Sequence, residues 1–300
     1  MSAFTGKLPI TVMIAAKNEE VNLRKCLQAL KPAEKIVLLD SHSMDRTEEI
    51  VREFGGEVVQ FTYRGGYPKK RQWALDALQV HTDWVFFIDA DEVVPDALWH
   101  EIAKAFSTQG KKTAAYLITK GFHFMGRKFR YGGFSHSAVL LFQTGKARFE
   151  HLFDDPATFQ DMEVHERLIV DGKVSTLYTP LIHEDFKGLT AYIDRHNKYS
   201  SWEAKVRYNF IKTGKYGENT VAPNLFGNAQ ERRRFLKKIA VIIPFEDKFW
   251  FLYHYVMHMG MLEGRRGLIA CQIRASYIAQ VRAKIFEYKI KNVLNKSSGD

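Results

Sequence analysis

The sequence predicts an α/β protein: a mostly parallel sheet flanked by helices, followed by a helical C-terminal extension. Two observations carry this. Across the first ninety residues, short apolar runs rich in β-branched side chains alternate with amphipathic stretches, as successive βαβ units require. From Leu189 onward the pattern turns helical throughout.

The elements follow in order. Ile10–Ala15 (ITVMIA) is a nearly continuous apolar run, and Ile36–Leu39, Val58–Phe61 and Trp84–Ile88 resemble it. Such runs read as strands buried on both faces. Between them, Val21–Leu30, Asp45–Phe54 and Lys69–Leu78 carry apolar residues at roughly helical spacing. Asp96 is placed to cap a helix through Phe106. Ala114–Thr119, Ala138–Phe142 and Val174–Tyr178 predict further strands. Gly121–Gly133 mixes four glycines with aromatic and basic residues and predicts a loop or irregular hairpin. Helices are then expected over Leu189–Ile211, Ala229–Ile243, Asp247–Leu262 and Leu268–Lys291, punctuated by Pro223 and Pro244.

Composition narrows the classes. With 46% hydrophobic and 26% charged residues among 300, the chain affords a sizeable core, which excludes general disorder. Its two cysteines, Cys26 and Cys271, form neither a disulfide framework nor zinc-ligand spacing. They point to a reducing, cytoplasmic setting, and the N-terminus shows no signal-peptide pattern. The net charge of +10 is uneven. Residues 187–300 hold 21 Lys and Arg against 9 Asp and Glu, whereas residues 1–186 hold 23 against 25. The basic C-terminal part therefore expects an anionic partner. No segment reaches the length of a spanning helix. Instead Phe245, Phe249, Trp250, Phe251, Tyr253 and Tyr255, beside Arg232–Arg234 and Lys237–Lys238, suit a helix lying in a membrane interface. Packing of these helices on the rest of the chain is the alternative.

Four motifs carry chemistry. Asp89-Ala90-Asp91 closes the fourth strand, where open α/β sheets bind ligands. Two carboxylates two residues apart on an extended backbone share a side. Their oxygens suit Mg²⁺ or Mn²⁺ bound jointly with substrate phosphates. The structural alternative ends the strand at Asp89 and begins a turn at Asp91. Ala15, Lys17, Asn18 and Glu19 form a polar turn after the first strand, a nucleotide-contact position. After the second strand, Asp40 and Ser41 are placed to meet a base or ribose, while Asp45 and Thr47 read as helix caps. Lys69-Lys70-Arg71 opens a helix as cations for a diphosphate, or as a solvated helix start. His254 and His258 are spaced like a metal pair but lack a supporting glutamate, so they read as core or interface residues.

The order of AxKNEE, DSxSxDxT and DAD resembles family 2 glycosyltransferases with the GT-A fold. Val164–Arg167, Pro180–His183 and Glu263–Gly267 resemble the subgroup containing lipopolysaccharide-core β-1,4-glucosyltransferases. Departures are Gln72 in place of an expected Asn, Ser41 in place of a second Asp, and His165-Glu166 in place of the usual Glu-Asp base motif.

The resemblance implies inverting transfer from a nucleoside diphosphate sugar, UDP-linked, to a cell-envelope glycan or lipid-linked saccharide. It implies a divalent ion on Asp91 with Asp89 assisting, and His183 as a third ligand or a loop histidine bonded to backbone. Glu166 is the expected base, with Asp161 and Glu163 as rivals. It also implies a catalytic domain over residues 1–215, with nucleotide binding in 1–95 and acceptor chemistry in 96–215. A basic extension over 225–295 would dock on the inner face of the cytoplasmic membrane or form a homo-oligomer.

Two rival readings remain at this point. A sugar-phosphate nucleotidyltransferase shares the carboxylates but opens with a glycine-rich loop, which Ala15–Asn18 is not. A non-catalytic nucleic-acid- or membrane-binding protein fits the basic half, yet no nucleic-acid-reading module is evident, so no nucleic acid is expected.

Overall fold

The computed structural model describes residues 4–109, 112–152, 166–184, 187–227, 229–240 and 243–297. Packing separates two compact units. One contains Met1–Lys128, Phe134–Phe149 and Asp161–Phe186; the other contains Phe129–Gly133, Glu150–Gln160 and Lys187–Asp300.

The first unit opens with β1 (Leu8–Ala16), α1 (Glu20–Gln28), β2 (Ala33–Asp40), α2 (Thr47–Glu53), β3 (Glu57–Gln60), α3 (Lys70–Ala77) and β4 (Trp84–Asp89). These strands pair in parallel in the order β3-β2-β1-β4. The apolar runs are buried for the reason their composition implies: Ile10, Val12, Met13 and Ile14 are all 0% exposed because both faces of β1 are covered. Each such side chain contributes about 1.5–3 kcal/mol.

β5 (Glu92–Val93), α4 (Asp96–Gln109), β6 (Ala115–Phe124), β7 (Arg127–Lys128), β8 (His136–Gln143) and β9 (Ala147–Phe149) follow. Here the sheet turns mixed. β8 pairs antiparallel with both β4 and β6, so the mostly parallel sheet carries one antiparallel strand between β4 and β6. Gly121–Gly133 resolves into the hairpin alternative: β6 runs on to Phe124 and returns as β7, through Met125 and Gly126 at positive φ.

β10 (His151–Leu152) lies in the second unit, whereas β11 (Leu168–Val170), β12 (Val174–Thr176) and β13 (Leu181–His183) return to the first. β13 runs parallel to β6 and antiparallel to β5.

The second unit holds α5 (Gly188–Thr213), β14 (Gly217–Asn219), α6 (Ala229–Ala240), α7 (Glu246–Leu252) and α8 (Gly264–Ser297). α5 belongs to this unit, because its Ala204 and Tyr208 pack with Tyr277, Ile278, Val281 and Ile285 of α8. The single helix expected over Asp247–Leu262 is broken. α7 gives way to a π turn (Tyr253–Met257), a left-handed Met259 and a 3-10 turn (Gly260–Glu263). The 129–133 segment engages this break: Gly132 donates its N–H to His258 O at 2.8 Å, and His254 Nδ1 lies 2.7 Å from Gly132 O. Arg234 leaves the expected basic surface, being 4% exposed and ion-paired with Glu150. No helix among the described residues is long and apolar enough to cross a membrane.

Candidate active site

The strand order places β1 between β2 and β4, so chain direction across the sheet reverses there. The crevice beyond the carboxyl ends of β1 and β4 is where such sheets take ligands. Asp89 sits at that end, in register with Ala15 of β1.

Asp89 is surrounded by cations. The Arg71 guanidinium pairs with Oδ1, and Lys120 Nζ lies 2.7 Å from Oδ2. Lys120 also stands 2.6 Å from Glu92 Oε1 as an ion pair, while Glu92 Oε2 accepts the Asp89 N–H at 2.9 Å. Burial would raise the Asp89 carboxyl, but its side chain is still 28% exposed, and Lys120 and Arg71 hold it well below the usual carboxylate range. For Glu92, 0% exposed, burial prevails and pushes the carboxyl up. Lys120 is also buried, yet the charges of Asp89 and Glu92 more than offset that and keep its ammonium firmly protonated.

Asp91 lies just past the strand, as the structural alternative has it, and turns to a different partner. Its Oδ2 is 3.3 Å from His183 Nε2. β13 brings His183 there by pairing His183 with Glu92 of β5. Burial would lower the His183 pKa, but the hydrogen bond and charge of Asp91 raise it to about 9. This pair, 12% and 29% exposed, could offer a divalent ion one carboxylate and, once the imidazole gives up its proton, one nitrogen. Asp89 has committed both oxygens to cations, so it stands beside that pair. Among the described residues no group of three or more His, Cys, Asp and Glu side chains is disposed to hold a metal. A cation on Asp91 and His183 would take its remaining oxygens from water or a bound phosphate.

The remaining candidates divide. Lys17 and Asn18 are exposed in the turn after β1, with Asn18 at φ 55°. Asn18 Oδ1 accepts the Met44 N–H at 2.9 Å, and the Glu19 N–H reaches Thr47 Oγ1 at 2.8 Å, so the turns after β1 and β2 are stitched together. Ala15 and Ala90 are buried. Ser41 is buried too, its N–H bonded to Ala16 O. Asp40 is 0% exposed and accepts from Ser43 N at 2.7 Å, Ser43 Oγ at 2.5 Å and Gln60 Nε2 at 3.2 Å. It shapes the loop from beneath. Asp45 accepts from Thr47 N and Oγ1 one residue ahead of the α2 N-cap, Arg46, which carries no side-chain cap bond.

The solvated helix start does not form. Lys69 and Lys70 are 3% and 2% exposed. Lys70 Nζ donates to Ala16 O at 3.1 Å, and Lys69 Nζ pairs with Glu166 Oε1 at 2.5 Å. Residues 69 and 71 thereby hold Glu166 and Asp89 from one helix start. His165, Asp161 and Glu163 lie outside the described residues.

Sequence reasoning missed Lys120 and Glu92. A signal existed: Lys120 shares strand parity with Tyr116 and Ile118, 1% and 0% exposed. A cation on a core-facing position calls for a buried partner.

The chain matches lipopolysaccharide core biosynthesis glycosyltransferase LpsC of Rhizobium meliloti, 27% identical over 94% of this chain and 93% of that one. It also matches an uncharacterized glycosyltransferase of Rickettsia typhi, 25% identical over 70% of each chain. Among solved structures, glucosyl-3-phosphoglycerate synthase of Mycobacterium tuberculosis aligns at 25% identity with a TM-score of 0.31, over 41% of this chain and 46% of that one. The model of glycosyl transferase family 2 matches residues 11–163, from β1 through the Asp89–Asp91 site. With that match spanning just over half of its length, the chain belongs to glycosyl transferase family 2.

Proposed function

We propose that the protein transfers a sugar, with inversion, from a UDP-sugar or another nucleoside diphosphate sugar to a cell-envelope glycan or lipid-linked saccharide. The observation that carries this reading is the Asp91–His183 pair beside the Arg71–Asp89–Lys120 cluster. Family membership supplies the reaction class, and the likeness to LpsC along nearly the whole chain supports the acceptor class.

One carboxylate and one imidazole fit Mn²⁺ or Mg²⁺ shared with diphosphate oxygens. When bound, such an ion neutralises the charge of the leaving diphosphate, worth roughly several kcal/mol. The other tasks fall to the chain. Lys17 and Asn18 contact the nucleotide from the exposed turn after β1. Asp40 holds the second turn in shape. Asp89 orients Arg71 and Lys120 towards the incoming phosphates.

Glu166 is the proposed base, its carboxylate positioned by Lys69. It takes the proton of the acceptor hydroxyl while that oxygen attacks the sugar carbon and the bond to diphosphate breaks. A positioned base contributes about 10²–10⁴-fold. Peripheral attachment at the cytoplasmic face of an anionic membrane belongs to the same reading, since a lipid-linked acceptor lies there.

A panel of nucleotide sugars, offered with Mn²⁺, Mg²⁺ or chelator, tests the reading through nucleoside diphosphate release and thermal stabilisation. We expect UDP release, and stabilisation by UDP only when metal is present. Equal stabilisation in chelator would remove the metal from the mechanism.

A further inference from the structure

The segment Glu263–Gly267 (EGRRG) takes no part in the chemistry above. In the structure it is a junction at the start of α8. Glu263, 2% exposed, accepts the N–H groups of Arg130 and Tyr131 at 2.6 and 2.9 Å. Gly264 has φ +63°, a conformation L side chains rarely adopt. At Gly267 a Cβ would stand 2.0 Å from Gly260 O. Local structure thus accounts for the glutamate and both glycines.

It does not account for Arg265 and Arg266. Both are exposed, and neither has an ion-pair partner among the described residues. They occupy the first turn of a 34-residue helix that carries no acidic residue there, and the helix dipole disfavours cations at that end.

The chain just before them presents apolar residues to solvent. From Glu246 to His254 every fourth side chain turns inward. Glu246 pairs with Arg207, Trp250 packs on the Ala204–Tyr277 cluster, His254 meets Gly132, and His258 lies against Gly133. Between them Phe249, Leu252, Tyr253, Val256 and Met257 are 43–70% exposed, and Leu262 is 53% exposed. Both glutamates of the segment are consumed internally. Its exposed charges are therefore Lys248, Arg265 and Arg266, against a single half-buried Asp247.

We propose that this face, Phe249–Leu262 with Lys248, Arg265 and Arg266, docks the protein on an anionic lipid bilayer. The match is one of chemistry. Aromatic, leucine and methionine side chains enter the headgroup–acyl boundary to about 5–10 Å, while cations beside them meet lipid phosphates. A second copy is the weaker occupant, because self-association would bring the same unpaired cations together. Docking builds on the lipid-linked acceptor of the proposed function, which it would place within reach.

The test is flotation of the full chain with vesicles of phosphatidylcholine alone or mixed with phosphatidylglycerol. We expect flotation with the anionic vesicles only, weakening as salt rises. Arg265→Gln with Arg266→Gln should lower binding about fivefold per cation, and Phe249→Ser with Met257→Ser should abolish it. UDP release from the donor without vesicles should be the same in all of these proteins, which also shows that they fold. Undiminished vesicle binding by both double variants would overturn the proposal. So would a wild-type chain that ignores anionic vesicles, including one that forms a dimer dissociated by the Phe249/Met257 double variant. Vesicle binding without UDP release would leave the docking face standing and remove the catalytic reading.

Discussion

Asp91 and His183 are 92 positions apart in the chain and 3.3 Å apart in space, Oδ2 to Nε2. The contact depends on one short antiparallel pairing, in which β13 lays His183 opposite Glu92. Glu184 N–H adds a bond of 3.1 Å to Asp91 O. A carboxylate from one strand end and an imidazole from another thus face the same point beyond the sheet.

That relationship gives the first prediction. Asp91→Asn should lower kcat by about 10²–10³-fold, the scale of losing one preorganised electrostatic contributor. It should also abolish metal-dependent stabilisation by UDP. His183→Ala should weaken the same stabilisation with a smaller effect. Steady-state UDP release and thermal melts at matched Mn²⁺ concentration check both. An Asp91→Asn protein with normal metal dependence would rule the pair out as the ion site.

Lys120 joins the partly exposed Asp89 and the fully buried Glu92. Lys120→Met would leave Asp89 with Arg71 alone and Glu92 without its cation. The expected destabilisation is about 3–5 kcal/mol, the usual cost of stripping one partner from a buried ion pair. Adding Glu92→Gln should recover part of it. Urea unfolding of the single and double variants reads this out, and a near-neutral single variant would contradict the assigned charge balance.

In the second unit Arg207 holds Glu203 at 2.8 Å and Glu246 at 2.9 Å. Tyr277 donates to the other Glu203 oxygen at 2.5 Å. These side chains are at least nine-tenths buried. Arg207→Met should cost about 3–5 kcal/mol by the same logic. Donor hydrolysis at a temperature where the variant is folded should change little. A comparable loss of turnover would mean that the network does more than hold helices together.

His254 supplies a pH dependence. Burial lowers its pKa from 6.5 to about 4, and the nearby His258 acts in the same direction. Above pH 6.5 the folded and unfolded chains both leave it neutral. As pH falls from 6.5 towards 4, the unfolded chain binds a proton that the folded chain refuses, so stability declines across that window. His254→Gln should show a shallower decline than wild type in melts from pH 7.5 to 4.5. Parallel curves would show that other groups carry the acid sensitivity.

Much of the first unit is legible in the chain. β1 and β4 are buried on both faces, so their composition alone marks them, and the polar residues that follow fall where parallel strands expose ligands. Asp89, Asp91 and the turn after β1 could be located on that basis. Their partners could not. Hydrophobic period tells which face a residue occupies, but it is silent on which distant strand lies alongside. Lys69 and Lys70 illustrate the difficulty. Two lysines opening an amphipathic helix read as solvated, yet both are buried because Glu166 and Ala16 O stand opposite them. The helix break at Met259 was hidden for a related reason. The expected helix has the right apolar period on both sides, and only the 129–133 segment bonded to its π turn shows where it fails.

The sequence by itself determined the α/β order, the strand tip that carries Asp89 and Asp91, and a basic C-terminal part. These follow from local periodicity and charge, which each stretch of chain holds on its own. Only the tertiary structure decided that Asp91 turns to His183, that Arg71 and Lys120 share Asp89, and that α5 packs with α8. Such contacts depend on strand register and on competition among charges for buried partners, and that competition is settled when distant segments meet.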